Sequence, residues 1–402
     1  MKRNVSARLV VGAILLALLV VQAVYYRKLL WKPKLSDVAL EEGAAGAMPA
    51  MPPPPPVGSA DARVITFAGD GTPGCRDGSA GTARFDGPSG LAVDTTGNLY
   101  VSDSRNHRIR IVTQEGKVST FAGGGPMERL TGSLRDGASR DARFSCPAGL
   151  AFDGKGNLYV ADTGNSAIRK VDPKGNVSTV FAPPDAKSGK GLETLAPQLL
   201  LPGDVAFDDT LGIAVADTAN HRVVSIDGKG GMDTLAGSDP SQNPPEMDSP
   251  LAMCIGANGM LYVVGAGNLG VRLVSALGTP ISLPTPRVKP GEIIAPVAQV
   301  DPEAHPAPKG IRLVNPAGVT TDQRGNLFVS DSVMQCVYAT TLSGIALELL
   351  AGAHHEHADM AGYVNGNGAE ARFNRPGALV CGPGRKLYVA DFGNNCVRMI
   401  EY

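Results

Sequence analysis

Between Pro88 and Phe121 apolar and polar positions alternate in four short runs with turn residues between them. The runs are Pro88-Ser-Gly-Leu-Ala-Val-Asp94, Gly97-Asn-Leu-Tyr-Val-Ser-Asp103, Asn106-His-Arg-Ile-Arg-Ile-Val112 and Val118-Ser-Thr-Phe-Ala-Gly123. A period of two residues predicts half-buried β-strands, and Gly, Asn and Asp between them predict tight turns, so the segment reads as a four-stranded meander. The pattern returns at Pro147 to Ala182, and from Pro202, Pro316 and Pro376. A weaker copy starts at Pro250, where Gly256 and Gly265 replace two aspartates while Leu261-Tyr-Val-Val and Val271-Arg-Leu-Val keep the strand pattern. That makes six units.

The spans Pro88 to Phe121, Pro147 to Phe181, Pro202 to Leu235 and Pro316 to Leu350 are nearly equal, whereas Pro376 to Tyr402 has room for three strands only. The missing fourth strand stands at the front of the domain as Arg63-Val-Ile-Thr-Phe-Ala-Gly69. Six radial sheets, the last assembled from both ends of the domain, predict an all-β, closed six-bladed β-propeller over residues 62–402, because closure protects the strand edges of an open array. Leu91, Val93, Leu99, Tyr100 and Val101 are then expected in the packing between blades.

The units resemble the NHL repeat. The resemblance rests on Phe67-Ala-Gly, Asp77-Gly, Ala83-Arg-Phe85, Pro88, Asp94, Gly97-Asn-Leu-Tyr-Val, Asp103 and Asn106-His-Arg-Ile, and it covers about residues 62 to 402. It implies the propeller fold and leaves function open, since propellers of this family serve as protein-binding, RNA-binding and sensor modules and a distant branch carries an enzyme.

Ahead of the repeats, Lys2, Arg3 and Arg8 precede an apolar run from Leu9 to Val24, closed by Tyr25 and Tyr26 and followed by Arg27, Lys28, Trp31, Lys32 and Lys34. Residues 1–8 read as a tail and 9–26 as one transmembrane helix, a signal anchor near the lower end of the ~17 to 25 residues a span needs. A cleaved signal peptide, with Val21-Gln22-Ala23 near the cleavage point, is the alternative. Basic residues flank both ends of the run, so orientation rests on the precedent of N-terminal anchors, which puts the propeller outside the cytoplasm: periplasmic, extracellular or lumenal. Residues 27–61, with Pro52 to Pro56 unbroken, read as a polyproline II spacer.

The net charge of −1, one Trp, and no interleaving of basic with aromatic residues disfavour nucleic acid as the partner. The remaining expectation is a binding or sensing module for a protein, peptide or glycan. Ligands of a propeller are expected on the face where second-to-third-strand loops and blade-to-blade connectors emerge. That face receives Arg105, Asn106, His107, Asn165, Asn220, His221, Asn268 and Asn394. The aspartates at 103, 162, 217, 331 and 391 are expected to accept backbone hydrogen bonds in the turn that follows each, with the Asn three residues on in left-handed or Asx geometry. Three connectors align without a gap, Asp77 to Phe85, Asp136 to Phe144 and Asn365 to Phe373. Their phenylalanines are expected to be buried and Arg84, Arg143 and Arg372 to pair with carboxylates. The other connectors, 183–201, 238–250 and 277–312, are irregular, and Thr285 to Pro308 is the expected partner surface.

No cofactor is called for by motif. His354, His355 and His357, with Asp359 nearby, could hold a single divalent metal ion if a distant ligand completed the site. That leaves a metal-dependent propeller enzyme, a hydrolase or lyase working in the central channel or at His354–His357, as one alternative and a cytoplasm-facing RNA-binding module as another. Against the enzyme, no Glu stands at the start of an inner strand, and neither Gly-x-Ser-x-Gly nor a phosphate-binding glycine loop is present. Of six cysteines, Cys75 and Cys146 in connectors are the candidates for a disulfide.

Overall fold

The computed structural model of the chain describes residues 61–124, 134–183, 198–227, 230–237, 247–274, 313–341, 347–352 and 361–402. Among these no helix is long and apolar enough to cross a membrane, and the expected span 9–26 and spacer 27–61 lie outside them, apart from Asp61.

Six antiparallel sheets follow one another along the chain. Blade one comprises Pro88–Val93, Leu99–Asp103, Arg108–Val112 and Lys117–Ala122, paired in sequence order, with Leu91 opposite Val101 and Val101 opposite Arg110. Blades two, three and five repeat this four-stranded order. In blade four three strands are described, Pro250–Ile255, Leu261–Gly265 and Asn268–Val274. Blade six is closed as expected. Arg63–Ala68 pairs antiparallel with Cys396–Glu401, Val64 opposite Ile400, which covers the edge of the last strand.

The apolar positions form six clusters among the described residues, one at each junction between neighbouring blades. At the junction of blades one and two, Ala92, Tyr100 and Ile109 meet Phe144, Leu150, Leu158 and Val160. Leu91, Leu99, Tyr100 and Val101 are buried as expected, while Val93 is partly buried at the edge of the neighbouring cluster. Phe85, Phe144 and Phe373 are buried too.

Beneath each of these phenylalanines lies a fully buried arginine that the strand pattern alone did not single out: Arg110, Arg169 and Arg398. Their guanidiniums sit 5.2, 5.2 and 5.1 Å from the ring centroids. Each donates through Nη1 to the aspartate ending the second strand, Asp103, Asp162 or Asp391, at 2.7, 2.8 and 3.0 Å. Nη1 also reaches a carbonyl of the connector, and Nη2 reaches a second connector carbonyl plus Asp77, Asp136 or Asn365. The planar fork thus ties the third strand to the second strand and to the connector that wraps the blade. Arg84, Arg143 and Arg372, beside them in sequence, behave differently. Arg84 pairs with Asp70 at 2.8 Å, as expected. Arg143 and Arg372 instead donate to carbonyls of their own connector.

Replacing Arg110 by Met should lower stability by about 3 to 5 kcal/mol, since Asp103 would stay buried without its cation; urea unfolding of Arg110→Met measures this, with Arg76→Ala, an exposed partner of Asp70, expected to cost under about 1 kcal/mol. Deleting residues 61–69 should leave the Cys396–Glu401 edge open and convert a monodisperse species into aggregates on size-exclusion chromatography.

Candidate functional site

The second-to-third-strand loops and the incoming connectors emerge together, as the bond from the Arg105 N–H to the Asp86 carbonyl at 3.1 Å shows. What holds that face is the set of aspartates ending the second strands. Asp103, Asp162, Asp217, Asp331 and Asp391 are all fully buried. Their main backbone partner is not the turn that follows but the incoming connector. Oδ1 accepts the N–H of the residue 17 positions earlier, Asp86, Ser145, Leu200 and Asn374, at 2.7 to 2.8 Å. Asp331 takes Val314 and Asn315 of its connector and also Val333 and Met334 of the following turn. The reason is geometric: the loop after each of the other four is a 3-10 turn closed by its own backbone, leaving the carboxylate to face the connector.

The predicted asparagines act in the same joints. Asn106, Asn165, Asn220 and Asn394 each donate Nδ2 to the aspartate three residues earlier at 2.8 Å, and three of them reach a connector carbonyl as well, Gly74, Gln198 and Gly362. They end the 3-10 turn; the left-handed residue is the next one, His107, Ser166, His221 and Asn395, with φ of 50 to 54°. Asn268 opens the third strand of blade four, and nothing is described of its side chain.

The left-handed residues explain the two histidines. His107 Nδ1 accepts the N–H of Cys146, and His221 Nδ1 that of Ser249, at 2.9 and 3.1 Å. Ser166 receives Leu201, Gln335 receives Arg375, and Asn395 receives Gly87 in the same way. Each donor precedes the opening proline of the next blade and itself has a positive φ. A residue before proline is driven from the right-handed helical region, and the side chain from the preceding blade fixes the left-handed alternative. Five of six junctions carry this strap; at the sixth, Asn315 before Pro316 lacks the positive φ and donates its N–H to Asp331 of its own blade instead. Burial, with Arg108 beside it, holds the His107 imidazole below its ordinary pKa, which keeps Nδ1 free to accept. His354, His355 and His357 lie outside the described residues, as do most of 183–201, 238–250 and 277–312, including Thr285 to Pro308. Among the described residues no group of three His, Cys, Asp or Glu is placed to hold a metal ion. All six cysteines are free. Cys75 and Cys146 do not bridge: the Cys75 sulfur accepts a bond from Arg108 at 2.6 Å, and Cys146 is held on the strap from His107.

Two features remain exposed to a ligand. On the top of blades six and one, Arg105 and Arg375 stand 4.8 and 5.3 Å from the centroid of the Phe392 ring. The Arg105 side chain is 55% exposed, its partner Asp86 is 3.3 Å away, and Arg375 is exposed. The sequence pointed to Arg105 but not to Phe392, which stands one blade back at the loop position of Ser104, nor to Arg375, in the strap position before Pro376. The second feature is the axial channel. First strands of all six blades line a cavity of about 240 Å³. Asp204 lines it at a position where the other blades carry Gly90, Gly149, Ala252, Gly318 and Ala378. A search for Glu at inner-strand starts does not reveal this acid, because the blade carries Asp there. The signal was there in the alignment of opening prolines: one blade reads Pro-Gly-Asp where a small residue is the rule.

The NHL repeat model matches residues 85–112 and 144–171, which cover blade one's Phe85 and first three strands, and their counterparts in blade two. NHL repeat-containing protein 2 of Bos taurus is 28% identical over 353 residues, a match covering 78% of this chain and 46% of the relative. The chain thus spans about half the length of the curated relatives it matches over most of its sequence. Among solved structures, an auxiliary nutrient binding protein from Bacteroides ovatus superposes with a TM-score of 0.58 at 16% identity, over 85% of this chain and 76% of that one. A gluconolactonase from Xanthomonas campestris superposes with a TM-score of 0.53 at 16% identity, over 90% and 98%. Identities this low establish the shared fold alone. With six sheets closed through the N-terminal strand and the NHL repeat recognised in two of them, the chain is a six-bladed β-propeller that carries NHL repeats in blades one and two.

Proposed function

We propose that the chain is an extracytoplasmic binding scaffold, anchored through residues 9–26 and held off the bilayer by 27–61, whose propeller takes a protein, peptide or glycan on its top face. NHL propellers are generally protein-binding scaffolds, and the proposal narrows that to a surface. The observation that carries it is the Arg105–Phe392–Arg375 stack. The asparagines and histidines around it are held in joints of the fold, whereas these two guanidiniums are exposed, and Asp86 offsets only one of them. An aromatic ring flanked by guanidiniums offers a flat apolar contact together with bidentate donors, the combination enriched at centres of protein interfaces. An acidic peptide segment is the partner chemistry it fits best. The gluconolactonase likeness carries no activity to this chain.

A photo-crosslinking residue placed at Phe392 of the full-length protein in its native membrane should give a discrete adduct, and one placed at Lys155 on the opposite face should give none. The adduct should fall at least tenfold when Arg105→Glu and Arg375→Glu are combined, with the thermal midpoint unchanged within about 2 °C. Equal adducts from both faces, or an adduct indifferent to the charge reversals, would remove the top-face reading. Alkaline phosphatase, which needs an oxidising compartment for its disulfides, should be active when fused after Tyr402; an inactive fusion would remove the extracytoplasmic assignment.

A further inference from the structure

Interior aspartates of this fold are matched to donors with some care. Asp103, Asp162, Asp217 and Asp391 each meet an arginine, Asp248 lies 3.3 Å from His221, and Asp331 accepts four backbone N–H groups. Asp204 departs from this. Its carboxylate accepts two N–H bonds at 2.8 Å, from Val205 and from Met253 of blade four, and among the described residues no cation faces it. It reaches across blade two as well: a Cβ on Gly149 would fall 1.9 Å from Asp204 Oδ1, so the small residue there makes room for the acid. Two N–H bonds leave the oxygens with open lone pairs in a half-buried position on the axial cavity. Among the described lining residues the one other ionisable group is the Cys254 thiol, which burial pushes up and keeps neutral. No Lys, Arg or His lines the cavity from any of the six first strands.

We infer that the axial channel is a binding site for a small organic cation, whose ammonium or guanidinium group meets Asp204 and whose apolar stem lies among Leu150, Met253, Val319 and Leu379. A partly desolvated carboxylate without a cation beside it costs free energy that an entering cation recovers. The cavity, about 240 Å³, lies just under the ~300 to 1,000 Å³ of pockets for drug-sized ligands, which limits the guest to a small molecule. One carboxylate among apolar neighbours is too few donors for zinc or calcium, which favours an organic cation over a metal ion. The pKa agrees with the geometry. Burial raises the Asp204 carboxyl to about 7, against the opposing pull of the two N–H bonds. The cation binds the ionised form, so affinity is full above pH 7 and declines as pH falls through it.

The test is calorimetric titration of the full-length protein with n-butylammonium and benzylammonium chlorides, with 1-butanol as the neutral counterpart. The expected result is saturable binding of one ammonium per chain and none of butanol. Asp204→Asn should weaken the ammonium at least tenfold, and the wild-type affinity should fall about tenfold per pH unit below 7. The pH series on the wild type decides the matter even if Asp204→Asn does not fold. Absence of saturable ammonium binding, equal binding of butanol, or an affinity indifferent to pH would each overturn the inference.

Discussion

A carboxylate buried at the end of a second strand is the constraint on which this propeller depends. Five of the six blades place one there, fully out of solvent, and each is surrounded by donors from three places at once: the connector that arrives, the loop that leaves and, in four blades, an arginine of the third strand. Burying the charge would be costly if any of these failed, so the group acts as a specification: only one placement of connector, loop and strand satisfies it. The top face inherits its rigidity from this. The side chains lying across it are anchored from below by a charge that cannot be left unpaired, and the straps from His107, Ser166, His221, Gln335 and Asn395 carry the same order from each blade to the next.

The blades meet the requirement in different ways. Blades one, two and six, whose connectors share the Ala-Arg-Phe ending, place an arginine seven residues after the aspartate and lay it under the phenylalanine. Blade three has Val224 at that position and turns Arg222 inward from two residues earlier, bonding Asp217 at 2.7 Å. Blade five has Tyr338 there and satisfies Asp331 with four backbone N–H groups. Blade four has lost the acid altogether, Gly265 standing in its place. The regular half of the ring is therefore the half in which the arginine, the connector and the phenylalanine occur together, and the exposed Arg105–Phe392–Arg375 stack sits on that half.

The strands, the count of six blades and closure by Arg63–Ala68 were legible in the sequence, because a period of two repeated at a nearly constant interval has few other physical readings. The joints were legible only in part. That Asp103 and Asn106 work together is local chemistry, readable from their spacing. That Asp103 faces Asp86 is not, since the approach of a connector to a loop is set by how the blade folds back on itself. Arg110 was hidden inside a run that reads as an ordinary strand, although its recurrence with the Ala-Arg-Phe connectors marks it once three blades are laid side by side. Asp204 was legible and missed, an acid in a column of Gly and Ala. The residues at 9–26, 285–308 and 354–357, on which the sequence placed the anchor, a partner surface and a metal cluster, lie outside the described residues.

The measurement that bears most directly on this account is hydrogen exchange at the amides bonded to the buried carboxylates, those of Asp86, Ser145, Leu200 and Asn374. Although all four lie in connectors, the account predicts protection close to that of central-strand amides, opening only with the blade as a whole. Exchange at the rate of surface-turn amides such as Thr96, bonded to the exposed-loop carboxylate of Asp94, would contradict it and would make the buried aspartates passengers of the fold.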